Sequence, residues 1–481
     1  TANKDISFGA EARGAIGADI KDENDNVIGT VRLPHFYLAS NSIEVTETIN
    51  LARGTFHLMN DTFFSTSTIR TGGPQGEFGV DVVPEGDRTI ANNIQLANHL
   101  TVRGEHSLEL TGFIYQTNRR AIINLLPEGE TLTISGQGIS IVNEHQMRDI
   151  MFDGTGYTIV SAPIYNTDNP YRSDRPSEST TPDDSVTTAV GMVTKQGWGT
   201  VYLTSTESTY RGSTHIRSGK LIFASEQTWG NTQGIYVGPG GVLVVETGTL
   251  SPNVLAKIKT ATVGDETAPN PNALIASSGA LGLTPAESSA NIDYTTGDLS
   301  HAILVNLSVG AHGEINYTGT ITPPTNKSIG YRLGGGDKLI LAGTNQLTGD
   351  EKVTIVNGGV VSLQGVNNYT GPTEVRSEYT RTRQFQAIER HEGPGAWHHV
   401  PVTLEVAHMA NGGQSSSIGT SSSDPSNLVL HGGTFRYIGD GDTTDRGFTI
   451  GAAGATLDAS GSGALVFTNP TGVVTQDSQP R

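Results

Sequence analysis

Apolar and polar residues alternate along most of this chain in runs of four to six, and Gly or Thr closes many of them. The clearest stretch is 195–225, KQGWGTVYLTSTESTYRGSTHIRSGKLIFAS. It reads as short strands joined by tight turns, because a period of two places every second side chain on one face of an extended backbone. Between 36 and 135 the same texture gives Ile43-Glu-Val45, Gly54-Thr-Phe56-His-Leu58, Ile90 to Leu96, Leu100-Thr-Val102, Leu108-Glu-Leu110 and Leu132-Thr-Ile134. It continues to 165 through Gly154-Thr-Gly156-Tyr157-Thr-Ile159-Val160, and four more strands are expected in 427–469. Residues 118–126, NRRAIINLL, fit either a short helix or a strand buried on both faces, since an unbroken apolar run carries no period.

The skeleton of 195–225 returns, degraded, at 335–363 and again at 359–375. Internal repeats of this length argue for stacked units, each burying its apolar edge against the next. Two stretches break the pattern. Residues 166–184, NTDNPYRSDRPSESTTPDD, have no apolar period and read as a loop or linker. Residues 376–400 carry four Arg and fit a short amphipathic helix or an ordered excursion. The expected organisation is an N-terminal solenoid segment over 1–165, the loop 166–184, and a central repeat solenoid over 185–375. The excursion 376–400 and C-terminal rungs with a tail over 401–481 complete it. Residues 264–300 are a softer interruption with Ala-rich pieces suited to a turn of helix, and 414–426 is a Ser-rich loop.

Composition sharpens this picture. The chain has 481 residues, of which 60 are Gly, and only 16% are charged against a usual figure of about 25%. Ser, Thr, Asn and Gly suit turns and strands and disfavour helices. A net charge of −18 argues against nucleic acid and anionic membranes, which need clustered Lys and Arg. There is no Cys, so disulfides, thiolate metal sites and Cys nucleophiles are excluded. No apolar run approaches the roughly 18 residues of a membrane helix. The chain starts at Thr1 without an initiator Met, which reads as a processed chain or a fragment.

The repeat residues resemble the autotransporter-associated β-strand repeat, a pattern similar to K-x-G-x-G-x-L, then Y-x-G-x-T-x-V and G-x-L. The first copy carries Lys195, Gly197, Gly199, Leu203, Tyr210, Gly212, Thr214, Ile216, Gly219 and Leu221. The second has Gly336, Leu339, Leu341, Gly343, Asn345, Gly349, Val353 and Gly359, with Leu347 in place of Tyr. The third has Leu363, Gly365, Tyr369, Gly371, Thr373 and Val375, and departs from the pattern at 376. The segment Leu430-x-Gly432-Gly433-Thr434-Phe435-x-Tyr437 is also similar. The resemblance implies an all-β fold, a right-handed parallel β-helix (β-solenoid) with loop excursions, exported to the bacterial cell surface or outside the cell. At roughly 20–25 residues per rung the chain would make about twenty rungs, with Thr and Asn columns bonding up the stack.

Candidate chemistry is sparse. Asp440, Asp442 and Asp445 with Arg446, and Asp149 and Asp153 with Arg148, are the acid groups that a glycan-cleaving β-helix would need. His391, His398 and His399 beside Glu389 and Glu392 are the only metal-like cluster. The acidic turn 19–26 fits no EF-hand spacing. Gly334-Gly335-Gly336 precedes a strand instead of a helix and so cradles no phosphate. The aromatics Trp198, Tyr210, Trp229, Tyr236 and Trp397 are candidates for adhesion, with Trp198 and Tyr210 at repeat positions that suit core or corner packing. The reading is therefore a non-enzymatic chain with no catalytic, cofactor or metal site. It is expected to be an extracellular structural rod that associates with itself, end to end or laterally, into a fibre or surface assembly. The first alternative is an adhesin or passenger stalk with a cell-surface glycan or protein as partner, and the second a polysaccharide lyase or hydrolase. Neither nucleic acid binding nor membrane insertion is expected.

Overall fold

The computed structural model describes all residues except 1–5, 10–18, 22–26, 31–34, 40–47, 63–65, 73–79, 118–119, 144–145, 148, 169–190, 260–276, 303, 378, 382–396 and 476–481. The fold is nearly all β, with parallel strands stacked into a β-solenoid of about 15 turns. Contacts divide the chain into two compact units. The first holds Thr1–His215, Ile222–Gly234 and Thr382–Ala396, and the second Ile216–Leu221, Ile235–Arg381 and Trp397–Arg481.

In the first unit the strands stack into three parallel walls, and from Val80 to Asp168 each turn contributes one strand to each. One wall stacks Thr48–Arg53, Thr68–Thr71, Ile94–Leu96, Phe113–Gln116, Gly138–Asn143 and Ile164–Asp168. The second runs from His35–Leu38 through Thr55–Leu58, Val80–Pro84, Leu100–Val102, Arg120–Asn124 and Ile150–Gly154 to Val193–Lys195. The third holds Arg88–Ile90, Leu108–Leu110, Thr131–Ile134, Tyr157–Val160 and Thr200–Leu203. Alternation in the sequence becomes a column in the stack: Ile69, Ile94, Ile114, Ile139 and Ile164 sit in register and are all buried. Their numbers give rung lengths of 25, 20, 25 and 25 residues, as the period predicts.

The ambiguous 118–126 run is a strand from Arg120 to Asn124. Its apolar residues are unbroken because both faces are covered: Ile122 enters the lumen side, while Ala121 and Ile123 form a separate buried cluster with Met151 of the next rung. Asn124 is fully buried and bonds across the rungs. Its Nδ2 donates to the Tyr157 carbonyl at 2.9 Å and to Thr158 Oγ1 at 3.1 Å, and its Oδ1 accepts from the Leu126 N–H at 3.0 Å. Such bonds between rungs each meet a buried polar group that would otherwise cost about 1–3 kcal/mol.

In the second unit one wall carries Gly241–Val245, Ala280–Leu283, Ser308–Asn316, Tyr331–Leu341, Gly359–Leu363, Val402–Val406, Thr434–Tyr437 and Thr456–Asp458. A second continues from Tyr331–Leu341 through Val353–Ile355, Thr373–Arg376, Leu428–His431 and Phe448–Ile450 to Val473–Thr475. One strand serves both walls because Gly334, Gly335 and Gly336 turn the corner within it, at φ of 116°, 107° and 81°. A Cβ on Gly335 would lie 2.1 Å from that of Ala280 and one on Gly336 2.1 Å from the Ala311 carbonyl, so only glycine fits. This triple, expected to precede a strand, lies inside one.

The turn count falls short of the twenty expected from rung length. Some rungs are much longer: Val242 pairs with Ala280, and Gly359 with Val402. Residues 427–469 form six strands where four were expected. The Ala-rich interruption carries short 3-10 turns at Pro285–Glu287 and Asp298–Ser300, and an α-helix of one turn and a half, Pro252–Lys257, precedes it. The excursion 376–400 leaves and returns as an antiparallel pair, Tyr379–Arg381 with Trp397–His399, and 382–396 lies outside the described residues. The first three residues of the expected loop 166–184 belong to the strand Ile164–Asp168, and the rest lies outside the described residues too.

Candidate functional surfaces

The repeat motif points inward. Tyr210 is fully buried, and its hydroxyl lies 3.0 Å from Thr214 Oγ1, which donates to Thr232 Oγ1 at 3.2 Å. Tyr369 repeats this with Thr373 at 2.6 Å. Burial raises both phenols far above their ordinary range, and the threonine bonds oppose it only in part. Tyr-x-Gly-x-Thr is therefore an internal clamp that closes one corner over four residues. Tyr369→Phe, which keeps the ring and strands the Thr373 hydroxyl, should cost about 1 kcal/mol in urea unfolding. An unchanged midpoint would show that the clamp contributes nothing.

Lys195 of the same motif is also inside. Its Nζ donates to the carbonyls of Gln196 at 2.6 Å and Gly197 at 2.8 Å. Burial lowers its pKa to about 7, against the opposing pull of Asp153. Asp153 accepts from the Gly154 N–H at 2.6 Å and from Gln196 Nε2 at 2.8 Å. Asp149, nearly buried, accepts from the Met192 N–H at 3.3 Å. These two acids, grouped in the sequence as a candidate pair, each tie one rung to the next, and Arg148 lies outside the described residues. The spacing K-x-G-x-G located the corner, but nothing in it showed that the ammonium faces inward.

The second acid group separates in the same way. Asp442 accepts from the Met409 N–H and the Tyr437 hydroxyl, Asp445 from the Gly412 N–H at 2.7 Å, and Asp440 from Ser462 Oγ. Arg446 is 2% exposed and faces the Ser-rich segment. Its Nε donates to the Ala410 carbonyl, Nη1 to Ser421 Oγ, and Nη2 to the carbonyls of Gln414 and Gly419, all at 2.9–3.0 Å. The carboxylates are spent on backbone amides and hydroxyls and the guanidinium on three carbonyls and a hydroxyl, so the group does not converge on a substrate position. Among the described residues no three His, Asp or Glu stand close enough to hold a metal ion. Of the histidine cluster, His391, Glu389 and Glu392 lie outside the described residues, and His399 is exposed on the returning strand.

The aromatics divide. Tyr210, Trp229 and Tyr236 are buried, whereas Trp198, expected to pack in the core or at a corner, is 40% exposed, and Tyr157 is 37% exposed. The side chain of Trp397 is outside the described set. A larger outward cluster lies on the second wall of the first unit. Tyr37, 64% exposed, stacks on His57 with ring centroids 4.3 Å apart. His57 Nε2 is 2.8 Å from His35 Nδ1, and its Nδ1 is 2.5 Å from Glu85 Oε1. With Glu85 ionised, His57 Nδ1–H donates to it and His35 Nδ1–H donates to His57 Nε2. This column combines an open aromatic face with directed polar groups, which is suited to binding and lacks the enclosing cleft of an active site. The residues lie 22 and 28 apart in sequence, so only rung register reveals the group.

The second unit carries a charged column. Ser362, Glu405, Arg436 and Asp458 occupy one register across four rungs. Lys338 Nζ and Arg436 Nη1 each lie 3.1 Å from Glu405, and Arg436 Nε donates to Asp458 at 2.6 Å. Burial opposes ionisation of Glu405, but Lys338, Ser362 and Arg436 outweigh it and hold its pKa below the ordinary range. Alternating sign up a column favours this stacking over a slipped one.

The chain is similar to part of an autotransporter adhesin. It is 31% identical over 293 residues, 60% of its own length, to the adhesin BmaC autotransporter of Brucella suis biovar 1. The aligned portion spans only 7% of that much longer protein. No family model matches the chain, and no solved structure matches it. Among the described residues no helix is long and apolar enough to cross a membrane.

Proposed function

We propose that this chain is a stalk segment of a bacterial surface adhesin of the autotransporter type, a passenger scaffold that presents binding residues outside the cell without turning over a substrate. The observation that carries the reading is the 31% identity to an adhesin, found in a chain folded as a parallel solenoid. The solenoid supports a mechanical and display role, because its repeat-motif residues are consumed in holding rungs together. The acids that a lyase would need are engaged in the same task. The partner class is a cell-surface glycan or protein, met by the outward columns and by the excursions 166–184 and 376–400. Binding of the labelled chain to host cells and to a glycan array tests this. Tyr37→Ser with His57→Ser, and separate deletions within the two excursions, should reduce binding with an unchanged far-UV spectrum. Absence of binding by the intact chain, or turnover of an acidic glycan lost in Asp442→Asn, would reject the reading.

A further inference from the structure

The tripeptide Asn-Gly-Gly occurs twice in the sequence, at 357–359 and 411–413, and these hold every Asn-Gly step of the chain. The fold treats the two copies oppositely. Asn357 is 1% exposed, and its carboxamide is tied to three other segments. Its Nδ2 donates to the Ser278 carbonyl and to Ser308 Oγ, both at 2.9 Å, and its Oδ1 accepts from the Gly240 N–H at 3.1 Å. Asn411 is exposed and opens a tight turn, which its carbonyl closes by accepting from the Gln414 N–H at 3.0 Å. Arg446 pins both ends of that turn through the Ala410 and Gln414 carbonyls. A Cβ on Gly412 would lie 2.2 Å from the Ser423 nitrogen, so packing admits only glycine there.

Asp445 meets this turn with two reciprocal bonds. Its Oδ1 accepts from the Gly412 N–H at 2.7 Å, and its own N–H donates to Asn411 Oδ1 at 2.9 Å. The nitrogen that follows Asn411 thus points its proton at a carboxylate, while the carboxamide oxygen faces an amide donor. One residue supplies both a base for a nucleophile and a donor for an oxyanion. We propose that Asn411 is a self-modification site, converted through a cyclic imide to aspartate or isoaspartate, with Asp445 as the catalytic residue. The Gly412 nitrogen bonds to Asn411 Cγ as its proton passes to Asp445 Oδ1. The carbonyl electron pair moves onto Asn411 Oδ1, where the Asp445 N–H holds the charge. Collapse breaks the Cγ–Nδ2 bond, and Nδ2 takes the proton from Asp445 and leaves as ammonia. Water then opens the imide at either carbonyl, so one water is consumed for each ammonia released. Either product adds a negative charge to the turn, and isoaspartate also lengthens the main chain that Arg446 spans.

Peptide mass spectrometry on the full chain, held for days at neutral pH, follows amide-to-acid conversion at both asparagines. Electron-based fragmentation separates aspartate from isoaspartate. In the folded chain Asn411 should convert about tenfold or more faster than Asn357. In guanidinium chloride the two rates should converge, with Asn411 slower than in the native state. Asp445→Asn keeps an acceptor for the Gly412 N–H and keeps the main-chain donor, but removes the base. It should slow Asn411 on the order of tenfold, with the unfolding midpoint and the rate at Asn357 unchanged. Conversion of Asn411 no faster in the native state than in denaturant, or an unchanged rate in folded Asp445→Asn, would each overturn the proposal. The native and denatured rates of the parent chain need no substitution, and they decide alone if Asp445→Asn does not fold.

Discussion

Arg446→Ala is expected to destabilise the second unit by about 2–4 kcal/mol, because it removes a donor from four buried acceptors, of which only the Ala410 and Gly419 carbonyls keep another, from Thr444 Oγ1 and Ser416 Oγ. The guanidinium is the shared partner of three carbonyls and one hydroxyl across 410–421, a Ser-rich segment with little apolar content to hold it. Water reaches the exposed Gln414 side of the segment, which keeps the loss below the sum of its parts. Arg446→Lys should recover only part of it, since one ammonium cannot span a fork of acceptors. Urea unfolding gives the magnitude. Hydrogen exchange gives the location: the Gly413 N–H, bonded to the Ser421 carbonyl at 2.9 Å, should lose protection first. A shift below about 1 kcal/mol would mean that the segment is held by its neighbours without Arg446.

Lys195 predicts a pH dependence with a definite sign. Its pKa falls from 10.5 in the open chain to about 7 in the fold. Between those values the unfolded chain holds a proton that the native state does not. Stability contributed by this group therefore rises with pH from about 7 to 10.5, and burial of the charged form costs most below that window. The size is on the order of 5 kcal/mol at one pKa unit per 1.36 kcal/mol. Lys195→Met keeps the length of the side chain and deletes the titration. Its unfolding free energy, measured from pH 7 upward, should lack the rise that the parent chain shows. Parallel curves would place a charged amine in the fold and remove the premise. Near neutral pH the substitution trades a costly amine against two stranded carbonyls, so its net effect there is small beside the change in slope.

Strand texture was legible because a solenoid wall has one wet and one dry face, and alternation records that directly. It failed at 118–126, where Ala121 and Ile123 are covered on the outer face as well and the period vanishes. The corner residues were legible as Gly and Thr, but their direction was not: Lys195 and Arg446 look like surface cations in the sequence and are buried in the fold. The candidate acid groups read as clusters because they are close in number. In space each carboxylate of Asp440, Asp442 and Asp445 turns to a different backbone or side-chain partner, so proximity in sequence did not become convergence.

The sequence alone determined the rung: its length, its alternation, its corner glycines and the Tyr-x-Gly-x-Thr clamp, all of which are local and set within some 25 residues. What it left open is which rung faces which. Rungs differ in length, and Gly359 meets Val402 only after a long excursion. The tertiary structure therefore decided the columns, and with them Tyr37 over His57 and Glu405 between Lys338 and Arg436. Those contacts join residues 20 to 70 apart, and only the stack fixes the register that brings them together.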